Sequence, residues 1–253
     1  MAKKKRGSEK SQRKLLMVGP DAPFQYVEAY KSLRTNLEFL SASTGCKVIL
    51  ITSSVQEEGK SNVAINLAST MASGGKRVVL VDSDLRKGSL SRYLHLNHNR
   101  PGISNIVAGQ ATLNDALVRF KNVQFTLLPV GPLPPNPSEM LSLPAVEQMF
   151  DTLREYYDYI IVDTPPVSVV TDAAVMCRMV DGVVLVVRSG VTTIQGAQLS
   201  KKKLEAVGAR ILGVVLNGYD ARRIGRRDGY SYAYSYNYYA GDDQSEDKKA
   251  TLS

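Results

Sequence analysis

Five stretches of this chain are apolar from end to end: Val48-Ile49-Leu50-Ile51, Val78-Val79-Leu80-Val81, Tyr159-Ile160-Ile161-Val162, Val183-Val184-Leu185-Val186-Val187 and Ile211-Leu212-Gly213-Val214-Val215-Leu216. A strand with one face in water alternates apolar and polar residues; one that is apolar throughout is buried on both faces. Such strands, separated by segments of helical spacing, predict an α/β domain: a mostly parallel sheet with helices on both faces. Strands are expected at about 47–52, 77–82, 125–129, 159–162, 183–187 and 211–216. Helices are expected over 24–42, where Phe24, Val27, Tyr30, Leu33, Leu37 and Leu40 recur at three- and four-residue steps, and over 60–73, which stops at Gly74-Gly75. The rigid turn at 132–137 sets up a helix capped by Ser138 and running to about Tyr156, and a last helix covers 192–207.

At 253 residues the chain suits one large α/β domain or two small ones. Residues 1–20 read as a basic flexible arm, 21–219 as the domain, and 220–253 as a disordered Arg- and Tyr-rich tail. Net charge is +8, concentrated in the first fourteen residues, in Lys201-Lys202-Lys203 and in Arg222, Arg223, Arg226 and Arg227. Such runs are solvated surface or a means of attraction to anionic lipid or an acidic partner. No aromatic–basic reading surface accompanies them, which argues against nucleic acid. No apolar run approaches the ~20 residues that span a bilayer, and the basic N-terminus lacks the apolar stretch of a secretory signal. Cys46 and Cys177 lie far apart and are expected to pack as small apolar side chains in a reducing compartment. His95 and His98 sit in a polar turn and give no functional signal.

The loop Ser53-Ser54-Val55-Gln56-Glu57-Glu58-Gly59-Lys60-Ser61 joins the first strand to a helix. Strand, turn, Gly-Lys-Ser and helix is the layout of a phosphate-binding loop: unpaired N–H donors and the positive end of a helix dipole meet a lysine that reaches terminal phosphates. The full G-x-x-x-x-G-K-[ST] pattern wants glycine where this chain has Ser54. Two further strands end in carboxylates at the edge where open α/β sheets bind ligands: Val81-Asp82-Ser83-Asp84-Leu85-Arg86 and Ile161-Val162-Asp163-Thr164-Pro165-Pro166. Asp82 and Asp84 point the same way if the strand continues through them. Three such segments together specify a nucleoside triphosphate site far better than any one of them.

In combination these motifs, with Leu-Pro-Pro-Asn-Pro-Ser-Glu and a terminal tyrosine cluster, resemble the bacterial tyrosine kinase (BY-kinase) family in its detached cytoplasmic form, over about residues 20–240. The resemblance implies a P-loop fold and ATP with Mg2+ as cofactors. By it Glu58, Gly59, Lys60, Ser61 and Asn62 cradle the nucleotide, with Asn217 at the base. Lys60 contacts the β- and γ-phosphates, Asp82 takes the proton of a tyrosine hydroxyl, and Ser61, Asp84 and Asp163 hold or support the metal. Tyr230, Tyr232, Tyr234, Tyr236, Tyr238 and Tyr239 are the implied acceptors, phosphorylated in trans. Glu28, Lys31 and Arg34 stand in the family's ring-forming helix motif, with Lys31 in place of an arginine. A separate membrane adaptor of the polysaccharide co-polymerase type is implied, recruiting a cytoplasmic enzyme of exopolysaccharide or capsule synthesis to the inner face of the membrane, so that its membrane contact is indirect.

One departure bears on nucleotide binding. Gln56-Glu57 replaces the family's usual Pro-Gly, placing a Cβ and a negative charge near the phosphates. Either the loop keeps its shape with Glu57 toward solvent, or binding weakens. Two other functions stand beside autokinase. One is a partition ATPase of the MinD/ParA type, disfavoured because Val55 stands where that class has a second lysine. The other is a nucleotide-gated scaffold with impaired catalysis. For the alternating tail tyrosines, the second reading is one face of a strand, for which the sequence shows no partner.

Overall fold

The computed structural model describes residues 15–97 and 100–219. Seven strands form one sheet in the order β3-β4-β2-β5-β1-β6-β7. They are β1 (Val48–Ser53), β2 (Val78–Asp82), β3 (Val118–Arg119), β4 (Thr126–Leu128), β5 (Tyr159–Asp163), β6 (Gly182–Arg188) and β7 (Ile211–Asn217). All neighbours pair in parallel except the two-residue β3, which is antiparallel to β4.

The longer helices are α1 (Phe24–Thr44), α2 (Lys60–Ser73), α7 (Pro144–Tyr156) and α9 (Ile194–Ala206). Short helices fill the crossovers: α3 (Ser89–Tyr93), α4 (Ile103–Val107), α5 (Leu113–Ala116), α6 (Pro137–Leu141) and α8 (Asp172–Met176). Alternate strand residues feed two cores. Val48, Leu50, Val79, Val81, Ile160 and Val162 face α7, which presents Val146, Met149, Phe150 and Leu153 at helical spacing. Ile49, Ile51, Leu80 and Ile161 face α2 and Leu37 of α1. Each of these side chains is almost wholly buried, contributing on the order of 1.5–3 kcal/mol. That double burial is why β1, β2, β5 and most of β6 show no alternation; β7, expected from its apolar run to be covered on both faces as well, is not, because it lies at the edge of the sheet and leaves Val214 and Leu216 exposed.

Four sequence expectations need correction. The helix expected to start with Ser138 as its cap and run to Tyr156 is two helices, because Pro144 cannot continue α6 and instead opens α7. Asn136 holds the cap position, and Ser138 lies inside α6 with its hydroxyl donating to Asp172 at 2.6 Å. Residues 15–20, assigned to the arm, lie against the domain: the Val18 N–H donates to Asn66 Oδ1 (2.6 Å), and Asn66 Nδ2 donates to the Leu16 carbonyl (2.9 Å). The apolar stripe expected along α1 is only partly covered, with Tyr30 and Leu37 buried but Phe24 and Leu40 exposed. Gly74-Gly75 ends α2 as expected, and the positive φ belongs to Gly75 (82°). Cys46 and Cys177 are both buried and free.

Candidate nucleotide site

Register brings the functional segments together. Asp163 is paired across β5 with Ile51 of β1 on one side and with Asp82 of β2 on the other. The loop after β1 and the ends of β2 and β5 therefore meet at one rim of the sheet, the carboxyl edge where ligands bind in open α/β folds.

At that rim Lys60 opens α2. Its Nζ lies 3.1 Å from Ser61 Oγ, 3.4 Å from Asp84 Oδ2 and 3.5 Å from Asp163 Oδ1. Burial pulls the ammonium's pKa down, but the Asp163, Asp84 and Asp82 carboxylates outweigh it and hold Lys60 above lysine's ordinary value. Asp82 and Asp163 are fully buried. Burial, then the neighbouring Asp163 charge, push the Asp82 carboxyl well up, against the Leu90 N–H bond. Burial also raises Asp163, with Lys60 and the Ser61 hydroxyl opposing.

β2 ends at Asp82, so the two aspartates do not extend along one strand face. The chain turns instead: the Asp84 N–H donates to Asp82 Oδ1 (3.2 Å) and the Leu90 N–H to Asp82 Oδ2 (3.0 Å). Arg86 and its neighbours then clasp the far side. Arg86 Nε and Nη2 fork onto Asp172 at 2.9 and 2.8 Å, and Ser138 Oγ completes that buried carboxylate's shell. Nothing in the spacing of Arg86, Ser138 and Asp172 joins them; only the meeting of α6, α8 and the β2 loop does.

The phosphate-loop segment is held from several sides. Glu58 is buried, its carboxylate accepting from the Val55 N–H (2.8 Å) and from the Thr192 hydroxyl. Thr192 in turn accepts from the Arg188 N–H (2.7 Å). Arg188 Nη1 donates to the Glu57 carbonyl (2.9 Å), Lys87 Nζ to Gln56 Oε1 (3.0 Å) and Asn217 Nδ2 to the Glu58 carbonyl (2.8 Å). Sequence reasoning missed Thr192, Arg188 and Lys87, which come from other loops. Glu57 is exposed and takes a φ of 64°, the left-handed conformation its glycine counterpart would adopt freely. The loop thus keeps its turn despite the side chain.

Two residues assigned to the nucleotide also make contacts within the chain. The Asn62 side chain accepts from Tyr26 (2.9 Å) and Tyr30 (3.2 Å) on α1. Asn217 packs on the loop itself. In α1, Glu28 and Lys31 pair within the chain at 2.7 Å, while Arg34 Nη1 donates to the Thr70 carbonyl near the end of α2 (3.1 Å). The tyrosines at 230–239 and the basic runs at 1–14 and 222–227 lie outside the described residues; Lys201, Lys202 and Lys203 are exposed.

The residues fit magnesium and a triphosphate. Asp163 Oδ2, Ser54 Oγ and Ser83 Oγ are buried without hydrogen-bond partners, an arrangement that a polar ligand resolves. Among the described residues no three His, Cys, Asp or Glu side chains form a metal cluster of their own. Magnesium requires none, since it keeps waters and takes one or two protein ligands plus phosphate oxygens. No helix of the described residues is long and apolar enough to cross a membrane.

Comparison with known proteins agrees with this geometry. A family model described as an AAA domain matches residues 46–211. Tyrosine-protein kinase YwqD of Bacillus subtilis strain 168 is 34% identical over 230 residues, covering 91% of this chain and 94% of that protein. Tyrosine-protein kinase etk of Escherichia coli strain K12 is 38% identical over 210 residues, 83% of this chain; the match spans only 28% of that longer relative. The solved kinase domain of Escherichia coli tyrosine kinase ETK superposes with a TM-score of 0.73 at 37% identity, covering 76% of this chain and 74% of that one.

Proposed function

The chain belongs to the bacterial tyrosine-kinase family, and from that premise we propose that it is an ATP- and magnesium-dependent protein tyrosine autokinase whose acceptors are its own tyrosines 230–239. The observation that carries this reading is the Lys60 ammonium at the head of α2, within 3.5 Å of both Asp84 and Asp163, with Asp82 beside them.

Bound magnesium would neutralise and orient the phosphates. Ser61 and Asp163 would hold it, with Asp84 in support. The amides at the start of α2 bind the phosphate oxygens, and Lys60 draws the developing charge on the transferred group. Asp82 accepts the phenolic proton; a free tyrosine, with a pKa near 10, gives it up poorly at neutral pH. A raised carboxyl pKa suits a base. Asp82 is fully buried here, so an acceptor would reach it only after a local rearrangement of its surroundings. Glu28, Lys31 and Arg34 on α1 would meet a neighbouring subunit in a ring, giving phosphorylation in trans. An adaptor of the polysaccharide co-polymerase type would recruit the cytoplasmic enzyme to the inner face of the membrane in exopolysaccharide or capsule synthesis.

One observation favours a second reading. Glu57 carries a side chain at positive φ, a strain of order 1–3 kcal/mol, and a scaffold that binds nucleotide without turnover would tolerate a loop tuned that way. The test is a phosphotyrosine blot of the full chain beside Lys60→Met, each with and without ATP and Mg2+. Signal in the parent chain and none in the variant is expected. Equal signal in both would overturn the autokinase; nucleotide binding with no signal in either would favour the scaffold.

A further inference from the structure

β7 closes one side of the sheet, pairing with β6 and with no other strand among the described residues. Its sequence, Ile-Leu-Gly-Val-Val-Leu-Asn, carries no charge and no proline. Val214 is 59% exposed and Leu216 52%, two residues apart and therefore on one face. An apolar edge strand without these guards is a template for another strand, and native chains normally cover or charge it.

The chain carries a matching segment. Tyr230, Tyr232, Tyr234, Tyr236 and Tyr238 alternate with Ser231, Ala233, Ser235 and Asn237. That is a period-two pattern with one aromatic face, made of a residue type favoured in strands. Ten residues, 220–229, join it to the last described position. They reach roughly 33 Å when extended, against a β7 length of about 23 Å. Gly225 and Gly229 stand in that connection, where a chain reversal has use for them.

We propose that the outer edge of β7 is the docking site of the chain's own segment 230–238, which adds as an eighth strand, antiparallel to β7, while its tyrosines are unphosphorylated. The tyrosine face lies over Val214 and Leu216, the aromatic-on-aliphatic cross-strand pairing that sheets favour. The short tether gives the segment a high local concentration at this edge. Docking withholds the acceptors from an active site. Its release rests on the autokinase reading: each phosphate adds a charge of about −1.5 to −2, and a row of them on one face repels itself and the apolar edge.

Docking is read apart from catalysis by amide hydrogen exchange across 211–217 in the full chain carrying Lys60→Met. It is compared with the same chain also carrying Ser231→Pro, Ala233→Pro and Ser235→Pro, which keep every tyrosine but remove three backbone donors. Exchange of the outward β7 amides at least tenfold slower without the prolines is expected, at a rate independent of protein concentration. Equal exchange in the two chains overturns the proposal, and so does protection that appears only as concentration rises, which assigns the edge to a second copy. A Val214→Lys, Leu216→Lys chain, altered only at exposed side chains, should lose the protection as the proline chain does. In the Lys60-bearing chain, ATP and Mg2+ should speed β7 exchange as phosphotyrosine accumulates. Phosphotyrosine with unchanged protection overturns the release. Absence of phosphotyrosine counts against the autokinase, while docking is judged in the Lys60→Met chain.

Discussion

The side-chain amide of Asn217 occupies the space that a β-carbon on Gly59 would need: the carbon would fall 2.0 Å from Asn217 Nδ2. The end of the last strand thereby fixes the loop that opens α2, and Gly59 itself sits at a φ of 94°. Gly59→Ala is expected to weaken binding of a fluorescent ATP analogue by about 100-fold, roughly 2.7 kcal/mol, while the fold persists by circular dichroism. Adding Asn217→Ala should recover part of the loss, because it relieves the clash but not the backbone strain. An unchanged Kd in Gly59→Ala would mean that the loop is not held against Asn217 in solution.

Thr192 gives the loop a second anchor. Its hydroxyl donates to the buried Glu58 carboxylate and accepts the Arg188 N–H. Thr192→Val leaves that carboxylate oxygen short of a donor, at a cost of about 1–3 kcal/mol. Steady-state kinetics should show KM for ATP up about tenfold with kcat less affected, since the change loosens the loop and leaves Lys60, Asp82 and Asp163 in place. A fall in kcat at constant KM would contradict this.

How far the sequence carries can be seen residue by residue. β1, β2, β5 and β6 were legible because double burial writes continuous apolar runs, β7 by the same apolar pattern although it stands half exposed at the sheet edge, and Lys60, Ser61, Asp82 and Asp163 because each sits at a fixed offset from such a run. The break between α6 and α7 was missed although Pro144 marks it, because the apolar spacing continues across it. Asp172, Thr192 and Arg188, and the pairing of Arg86 and Ser138 with Asp172, were invisible for a different reason. Each is polar, on a loop or short helix, and paired with a residue far off in the chain, so only tertiary placement reveals it. Asn62 shows the converse: its motif position is legible, but the turn of α2 aims its side chain at Tyr26 and Tyr30.

The clasp on Asp172 should be a stability element. Asp172 is wholly buried, whereas the Arg86 side chain is 39% exposed. Removing one partner of a fully buried pair costs about 3–5 kcal/mol. Solvent at Arg86 and the remaining Ser138 bond reduce that here to about 2 kcal/mol. Arg86→Ala should lower Tm by about 4–8 °C. Arg86→Lys should fall between, since it keeps the charge but loses the fork. Calorimetry showing no change for Arg86→Ala would place the pair outside the folded-state balance.

Asp82 should leave its mark on the pH dependence of stability. Its folded-state pKa stands well above the ordinary carboxylate value, from burial first and the Asp163 charge second. Between those two values the folded chain holds a proton that the unfolded chain has released, so the folded state binds more protons than the unfolded state. Stability from this group is therefore full below the ordinary carboxylate pKa and is lost as pH rises toward the folded value, at no more than about 1.4 kcal/mol per pH unit. Asp158 and Asp181 are shifted the opposite way by Arg77 and Arg154, but they are present in parent and variant alike and cancel in the difference. The Tm of the parent minus that of Asp82→Asn should decline steadily from about pH 4 upward, whatever the variant's absolute Tm. A Tm difference that stays flat with pH would show that Asp82 ionises in the fold as it does in the unfolded chain.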